Sequence, residues 1–197
     1  MSEKAILFSG PMVRAILEGR KTQTRRVAKL NYAGRVQLGG KQWHVEDPNA
    51  ILACPYGQLG DRLWVRETFR DCDDGDLYFR ADFADGSDPV NADLYEGKWR
   101  WKPAIFMPRK LSRITLEITD VRVQRLQDIS IQDLQAEGMN ARPRRKAEHL
   151  FSAAKRMQDS MEADYRLLWE SINGFESWDA NPWVWAITFK RVDGGPR

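Results

Sequence analysis

Arg113-Ile114-Thr115-Leu116-Glu117-Ile118-Thr119-Asp120-Val121-Arg122-Val123 carries the clearest periodicity in the chain. Ile114, Leu116 and Ile118 alternate with Thr115, Glu117 and Thr119. That is the period of two that puts apolar side chains on one face of a strand and polar ones on the other. The stretch predicts a long strand. Beyond it, Ser130 stands where an N-cap would, Asp133 follows three residues on, and Gly138 marks a stop, so a short helix is expected between them. Glu137 is the last residue before that stop. The helix dipole slightly disfavours a carboxylate there, so its position has either no meaning or a functional one.

Working outward, residues 4–8 are β-rich and suggest a first strand, and Ser9 can cap a helix beginning near Pro11. Val27 to Asn49 is polar and Gly-containing and reads as loop or hairpin rather than core. A turn-rich segment ending at Gly60-Asp61 leads into Arg62–Phe69. This is a strand with Leu63, Val65 and Glu67 on one side and Trp64, Arg66 and Thr68 on the other. A carboxylate among apolar neighbours stands either at a strand's exposed end, the commoner case, or in a pocket. Leu77–Ala81 is a short strand. Ala147–Asn173 is the longest helix, with room for a break in its middle. Leu150, Ala154, Met157, Met161, Tyr165, Leu168 and Ile172 form one stripe on it, read as core-facing. Trp183–Val192 is the last strand.

About six strands that do not alternate with helices indicate an α+β protein. Strands at both termini can pair, so a small β-barrel with a short N-terminal helix and a longer C-terminal one is expected. The 197 residues suit one domain. With 42% hydrophobic and 30% charged residues, the class is soluble and globular. No signal peptide or membrane-spanning run is seen, so a cytoplasmic protein without a membrane partner is expected. Cys54, Cys72, His44 and His149 lack zinc-site spacing, and neither a metal nor another cofactor is called for.

The net charge is only +3, but it is segregated. Residues 1–45 carry a balance of +7, residues 71–97 one of −8, and residues 98–113 six bases without an acid. A strongly positive face for nucleic acid or a nucleotide can result, unless the acidic segment folds against the basic ones. Trp99-Arg100-Trp101-Lys102-Pro103 interleaves aromatics and cations. It suits base stacking with phosphate neutralisation, and equally a strand with one buried tryptophan face.

Gly19-Arg20-Lys21-Thr22-Gln23-Thr24-Arg25-Arg26 follows the expected helix stop. If its four cations converge, repulsion favours a neutral Lys21, and a neutral lysine beside the Thr24 hydroxyl is a base and nucleophile pair. On spacing alone, a solvated basic turn touching phosphate is the commoner arrangement.

These features together resemble the ASCH domain family of the PUA-like superfamily. The resemblance rests on Gly19, Lys21 and Arg26 in a G-x-K-x-x-x-x-R pattern with Thr24 inside it. It rests also on the Gly60-Asp61 turn, the Glu137-Gly138 pair and the closing strand after Pro182-Trp183. Cys54–Phe69, Trp101-Lys102-Pro103 and Trp178–Trp185 are similar to a longer bacterial and prophage-associated subgroup. The resemblance implies one domain over 1–197 with insertions near 31–57, 71–110 and 141–182. It implies a small barrel whose cleft takes a nucleoside or RNA. In family members that deacetylate N4-acetylcytidine the lysine is base, the threonine nucleophile, and the helix-end glutamate assists proton transfer. These roles carry over onto Lys21, Thr24 and Glu137, and Arg26 becomes a substrate or oxyanion contact. Arg25, Glu67, Trp64, Trp101 and Lys102 complete the expected substrate contacts. The competing expectation is an RNA or modified-DNA binding module, with or without metal-independent strand cleavage. In that reading Trp101, Trp64 or Trp43 stack on bases while Arg20, Arg25, Arg26, Lys102 and Arg109 hold phosphates.

Overall fold

The computed structural model describes residues 2–72, 75–83, 87, 100–139 and 150–192, with side chains of 150–157 excepted. The acidic run, Trp99, the basic segment at 142–146 and His149 lie wholly or mainly outside the described residues.

The long strand is present as β8, Thr115–Arg125, and it lies at the centre of a five-stranded sheet. The other members are β1 (Glu3–Leu7), β2 (Gln23–Val27), β5 (Arg62–Arg66) and β9 (Trp183–Val192). The order is β1-β5-β8-β9-β2; β1 and β5 run parallel and the remaining neighbours antiparallel. The β8–β9 ladder shifts register between Ile118 and Asp120, as a bulge does. Two hairpins complete the strands: β3 (Arg35–Leu38) with β4 (Lys41–His44), and β6 (Phe69–Asp71) with β7 (Leu77–Phe79).

The α+β class is as read. The expected closure into a barrel differs: among the described residues no ladder joins the edge strands β1 and β2. Helix α1, Gly10–Leu17, connects them and buries Val13 and Ile16 in the core. The Arg26 guanidinium then bridges the edges, with Nη2 donating to the Leu7 carbonyl at 2.6 Å.

Strand β9 is covered on both faces. Trp185, Ile187 and Phe189 join the main core with Leu63, Val65, Leu116 and Ile118. Val184 joins a second cluster with Leu134, Met161, Tyr165, Trp169 and Trp178. That second cluster packs α2, Ile131–Ala136, against α3, Leu150–Asn173. Helix α3 runs unbroken from Leu150 to Asn173. Helix α2 is capped as predicted, with Asp133 N donating to Ser130 Oγ at 3.1 Å. Ser9 occupies the N-cap position of α1 with no side-chain cap bond. The 27–49 segment is a hairpin, as one reading had it. It does reach the core, because its own Val36 and Val45 are buried there and its Trp43 packs alongside.

Leu116→Ala removes a fully buried side chain at the sheet centre, and about 2–5 kcal/mol of stability should go with it. Leu59→Ala, at a turn position 75% exposed, should change stability by no more than about 0.5 kcal/mol. Urea melts of the two variants check this contrast, and equal losses would contradict the placement of the core.

Candidate active site

Two helix ends are tied together to build the site. Helix α1 stops at Gly19, which takes φ +72°, and the amides of Arg20 and Lys21 both donate to the Ala15 carbonyl at 2.9 Å. The chain then forms an antiparallel bridge, Lys21 opposite Glu137, and Thr22 N donates to Ala136 O at 2.8 Å. Glycine is required at 138. It has φ +89°, and a Cβ there would lie 3.3 Å from the Cβ atoms of Ala15 and Lys21. Sequence spacing marked Gly138 as a helix stop; the close approach of α1 is the further reason for it.

The bridge brings two charges into the interior. Lys21 Nζ donates to Glu137 Oε2 at 2.6 Å and to Glu137 O at 3.1 Å, with side-chain exposures of 1% and 4%. Arg25 Nη1 donates to Glu137 Oε1 at 3.2 Å and to Gln23 Oε1 at 2.6 Å. Arg25 Nη2 donates to Asp133 Oδ2 at 2.8 Å, whose other oxygen accepts from Arg122 Nη2 at 2.9 Å. From α3, the Tyr165 hydroxyl donates to Glu137 Oε1 at 3.4 Å. Glu137 is thus held by lysine, arginine and tyrosine together, which fixes its carboxylate plane.

Burial pushes Lys21 below the ordinary lysine value; the Glu137 carboxylate opposes this, while Arg26 and Arg25 reinforce it. Desolvation, rather than the expected crowding of four cations, is therefore the leading cause. Arg20 does not converge with the others: it is exposed and ion-paired with Glu18. Burial also raises the Tyr165 phenol, helped by the Glu137 charge, so it remains a donor. Burial works against ionisation of Asp133, but its arginine partners outweigh that and hold the carboxyl below its usual range.

A cavity of about 220 Å³ opens beside this network. Its wall includes Thr24, Arg25, Arg26, Glu137, Tyr165 and Trp169. Thr24 is 2% exposed, and Arg26 lies with its guanidinium 5.2 Å from the Phe8 ring centre. Lys21 is not among the lining residues; its contact with the wall runs through Glu137. None of the hydrogen bonds found among the described residues joins Lys21 to Thr24. The structure thus gathers Thr24, Arg25, Arg26 and Glu137 around one space with Lys21 bound to Glu137.

The other expected contacts lie elsewhere. Glu67 is buried instead of standing at an exposed strand end. It accepts from Arg113 Nε and Nη2 at 2.9 and 3.0 Å, and burial raises its carboxyl above the usual value. Arg113 continues to Asp82, so this pair fastens β5 to the segment after β7. Trp64, 9% exposed, is flanked by the guanidiniums of Arg66 and Arg109. Trp101 is half-buried against Phe83 and Arg80, and Lys102 is ion-paired with Asp71. None of these four residues lines the cavity. Trp43 packs on the core and Arg109 pairs with Glu3, so the stacking and phosphate sets read from the sequence are dispersed over the molecule.

Tyr165, Asp133, Gln23 and Trp169 belong to the network or the wall but did not stand out in the sequence. A phenol within the apolar stripe of α3 was the available signal for Tyr165. No group of three or more His, Cys, Asp or Glu fit to hold a metal occurs among the described residues. Among them no helix is long and apolar enough to cross a membrane.

No protein family model and no curated protein matches this chain. Among solved structures, an ASCH domain from Lactobacillus crispatus JV V101 is similar, at 15% identity and a TM-score of 0.36 over 96% of this chain and 79% of that one.

Lys21→Met leaves Glu137 buried without its nearest cation and should cost about 3–5 kcal/mol; Lys21→Met/Glu137→Gln should recover part of the loss. In the parent, the unfolded chain binds a proton on Lys21 that the folded one lacks, between the lowered folded value and the ordinary 10.5. Stability should therefore rise with pH across that window. Urea melts from neutral to alkaline pH measure it, and an identical slope in Lys21→Met would remove Lys21 as the source.

Proposed function

We propose that this chain is an amidohydrolase that removes the acyl group from an N4-acylated cytosine nucleoside, of which N4-acetylcytidine is the type. The observation that carries the reading is the buried Lys21–Glu137 pair set against a cavity that Thr24 and Arg26 also line. A purely structural ion pair would not require a hydroxyl and a guanidinium on the same wall. The family resemblance supplies the substrate.

Thr24 Oγ attacks the amide carbonyl carbon, and its proton passes to the Lys21 amine by way of the Glu137 carboxylate, which lines the cavity and is bonded to that amine. The tetrahedral oxygen gains negative charge facing Arg26. Glu137, bonded to that amine and lining the cavity, relays the proton to N4 as the carbon–nitrogen bond breaks. Cytidine leaves, and water hydrolyses the threonyl ester to release the carboxylic acid. Arg25 and Tyr165 hold Glu137 and take no proton. Arg25 thus becomes a positioning residue here, and Glu67, Trp64, Trp101 and Lys102 have no part in the step.

The competing reading is binding of RNA or modified nucleic acid, with or without strand cleavage. It is supported by Lys29, an exposed cation on the same cavity wall with no ion-pair partner among the described residues.

Cytidine release from N4-acetylcytidine, followed by chromatography, tests the reading. The parent should turn over; Thr24→Ala and Lys21→Ala should each lose on the order of 10³-fold or more. The base must be neutral, so the rate should climb as pH rises through the lowered Lys21 value and then level off. Unchanged turnover in Thr24→Ala, which keeps the ion pair intact, would reject the nucleophile. A flat pH–rate profile would reject the base.

A further inference from the structure

A second cavity, of about 540 Å³, adjoins the first. Val27, Lys29 and Tyr56 line both, so the two spaces meet across one wall. The second is roofed by the β3–β4 hairpin through Val36, Gln37 and Leu38, and Trp185 of β9 contributes to its floor. A single nucleoside in the first cavity leaves this larger space without a role.

Its charge indicates what it takes. Lys29 stands where the two cavities join; Arg35 and Lys41 lie on the hairpin but are not among the groove's lining residues, and all three are exposed. None of the three has an ion-pair partner among the described residues. Of the two acids that follow the hairpin, Asp47 caps its own turn by accepting from Asn49 N at 2.7 Å, and Glu46 is exposed with its Oε2 3.8 Å from His44 Nδ1. An apolar floor with an aromatic edge, beside the unpaired cation Lys29, matches a base joined along its backbone to a phosphate.

We propose that this groove holds the nucleotide next to the acylated cytidine, so that the substrate is a residue within a phosphodiester-linked strand rather than a free nucleoside. Lys29 lies against the phosphate joining the two, and the hairpin carries the neighbouring base. This rests on the reading that the first cavity takes the acylated cytosine. It goes further in assigning the hairpin groove a strand-binding role.

The test compares N4-acetylcytidine with ribo- and deoxyribo-trinucleotides carrying N4-acetylcytidine centrally, in two arms. One arm is turnover; the other is equilibrium binding of fluorescein-labelled trinucleotides to the intact chain at several salt concentrations. Leu38→Glu is the diagnostic variant, because Leu38 is 48% exposed, lines only the groove, and places a negative charge there without disturbing the core. The trinucleotide should exceed the nucleoside by about tenfold or more in kcat/KM. Leu38→Glu should erase that advantage while nucleoside turnover stays within about twofold, and Lys29→Ala should flatten the salt dependence of binding. The ribo and deoxyribo arms identify which strand is used.

Equal kcat/KM for nucleoside and trinucleotides would overturn the groove assignment and leave the deacylase intact. So would trinucleotide binding that Leu38→Glu leaves unchanged, or a long-chain N4-acylcytidine that outperforms the trinucleotide and loses that advantage in Leu38→Glu. If no compound is turned over, the deacylase reading fails. Trinucleotide binding weakened by Leu38→Glu then still supports the groove, and its absence removes both.

Discussion

A lysine and a glutamate that leave water together set the geometry of this molecule. Taking two charges into the interior costs several kcal/mol each unless each finds its counter-charge at close range. Lys21 and Glu137 meet that condition only because the backbone bridge between them holds the ends of α1 and α2 side by side. The same bridge forces the left-handed glycine at 138 and directs β2 away from α1 into its pairing with β9. Arg25, Asp133 and Arg122 extend the compensation outward, so the charge is shared across the sheet edge and helix α2.

Helix α3 is where packing and chemistry coincide. Met161, Tyr165 and Trp169 cover the outer face of β9 and hold α2 in place. Two of those three side chains also line the cavity, and one of them touches Glu137. An element that serves as a lid on the hydrophobic layer thereby keeps the carboxylate of the candidate site oriented. The Glu67–Arg113–Asp82 system is built by the same rule of compensated burial but lines neither of the two cavities described, and it fastens the segment after β7.

Much of the fold could be read because its signals are local. The alternation in β8, the pattern of β9, the cap at Ser130 and the stops at Gly19 and Gly138 each depend on residues within a few positions of one another. Closure of the sheet, by contrast, is decided by contacts between distant residues. Whether β1 meets β2 depends on where α1 packs, and that is decided by burial of Val13 and Ile16 against strands distant in sequence. The positions of the aromatic and basic residues are likewise set by the whole fold. Trp64, Trp101 and Lys102 have the composition of a stacking surface, yet each is occupied by partners within the fold.

The sequence by itself determined the strands at β1, β5, β8 and β9, the helices, the α+β class, and the residue types of a lysine, threonine, arginine and glutamate set; it read Gln23–Val27 as part of a basic turn, where the structure has strand β2. Periodicity and capping are short-range physics, and a motif is a statement about neighbours along the chain. Only the tertiary structure decided that Lys21 is dry, that it is bound to Glu137 116 positions away, and that Thr24 and Tyr165 line one cavity. Desolvation depends on every atom that displaces water around a group. No local pattern contains that information, so the character of Lys21 became visible only once the chain had closed around it.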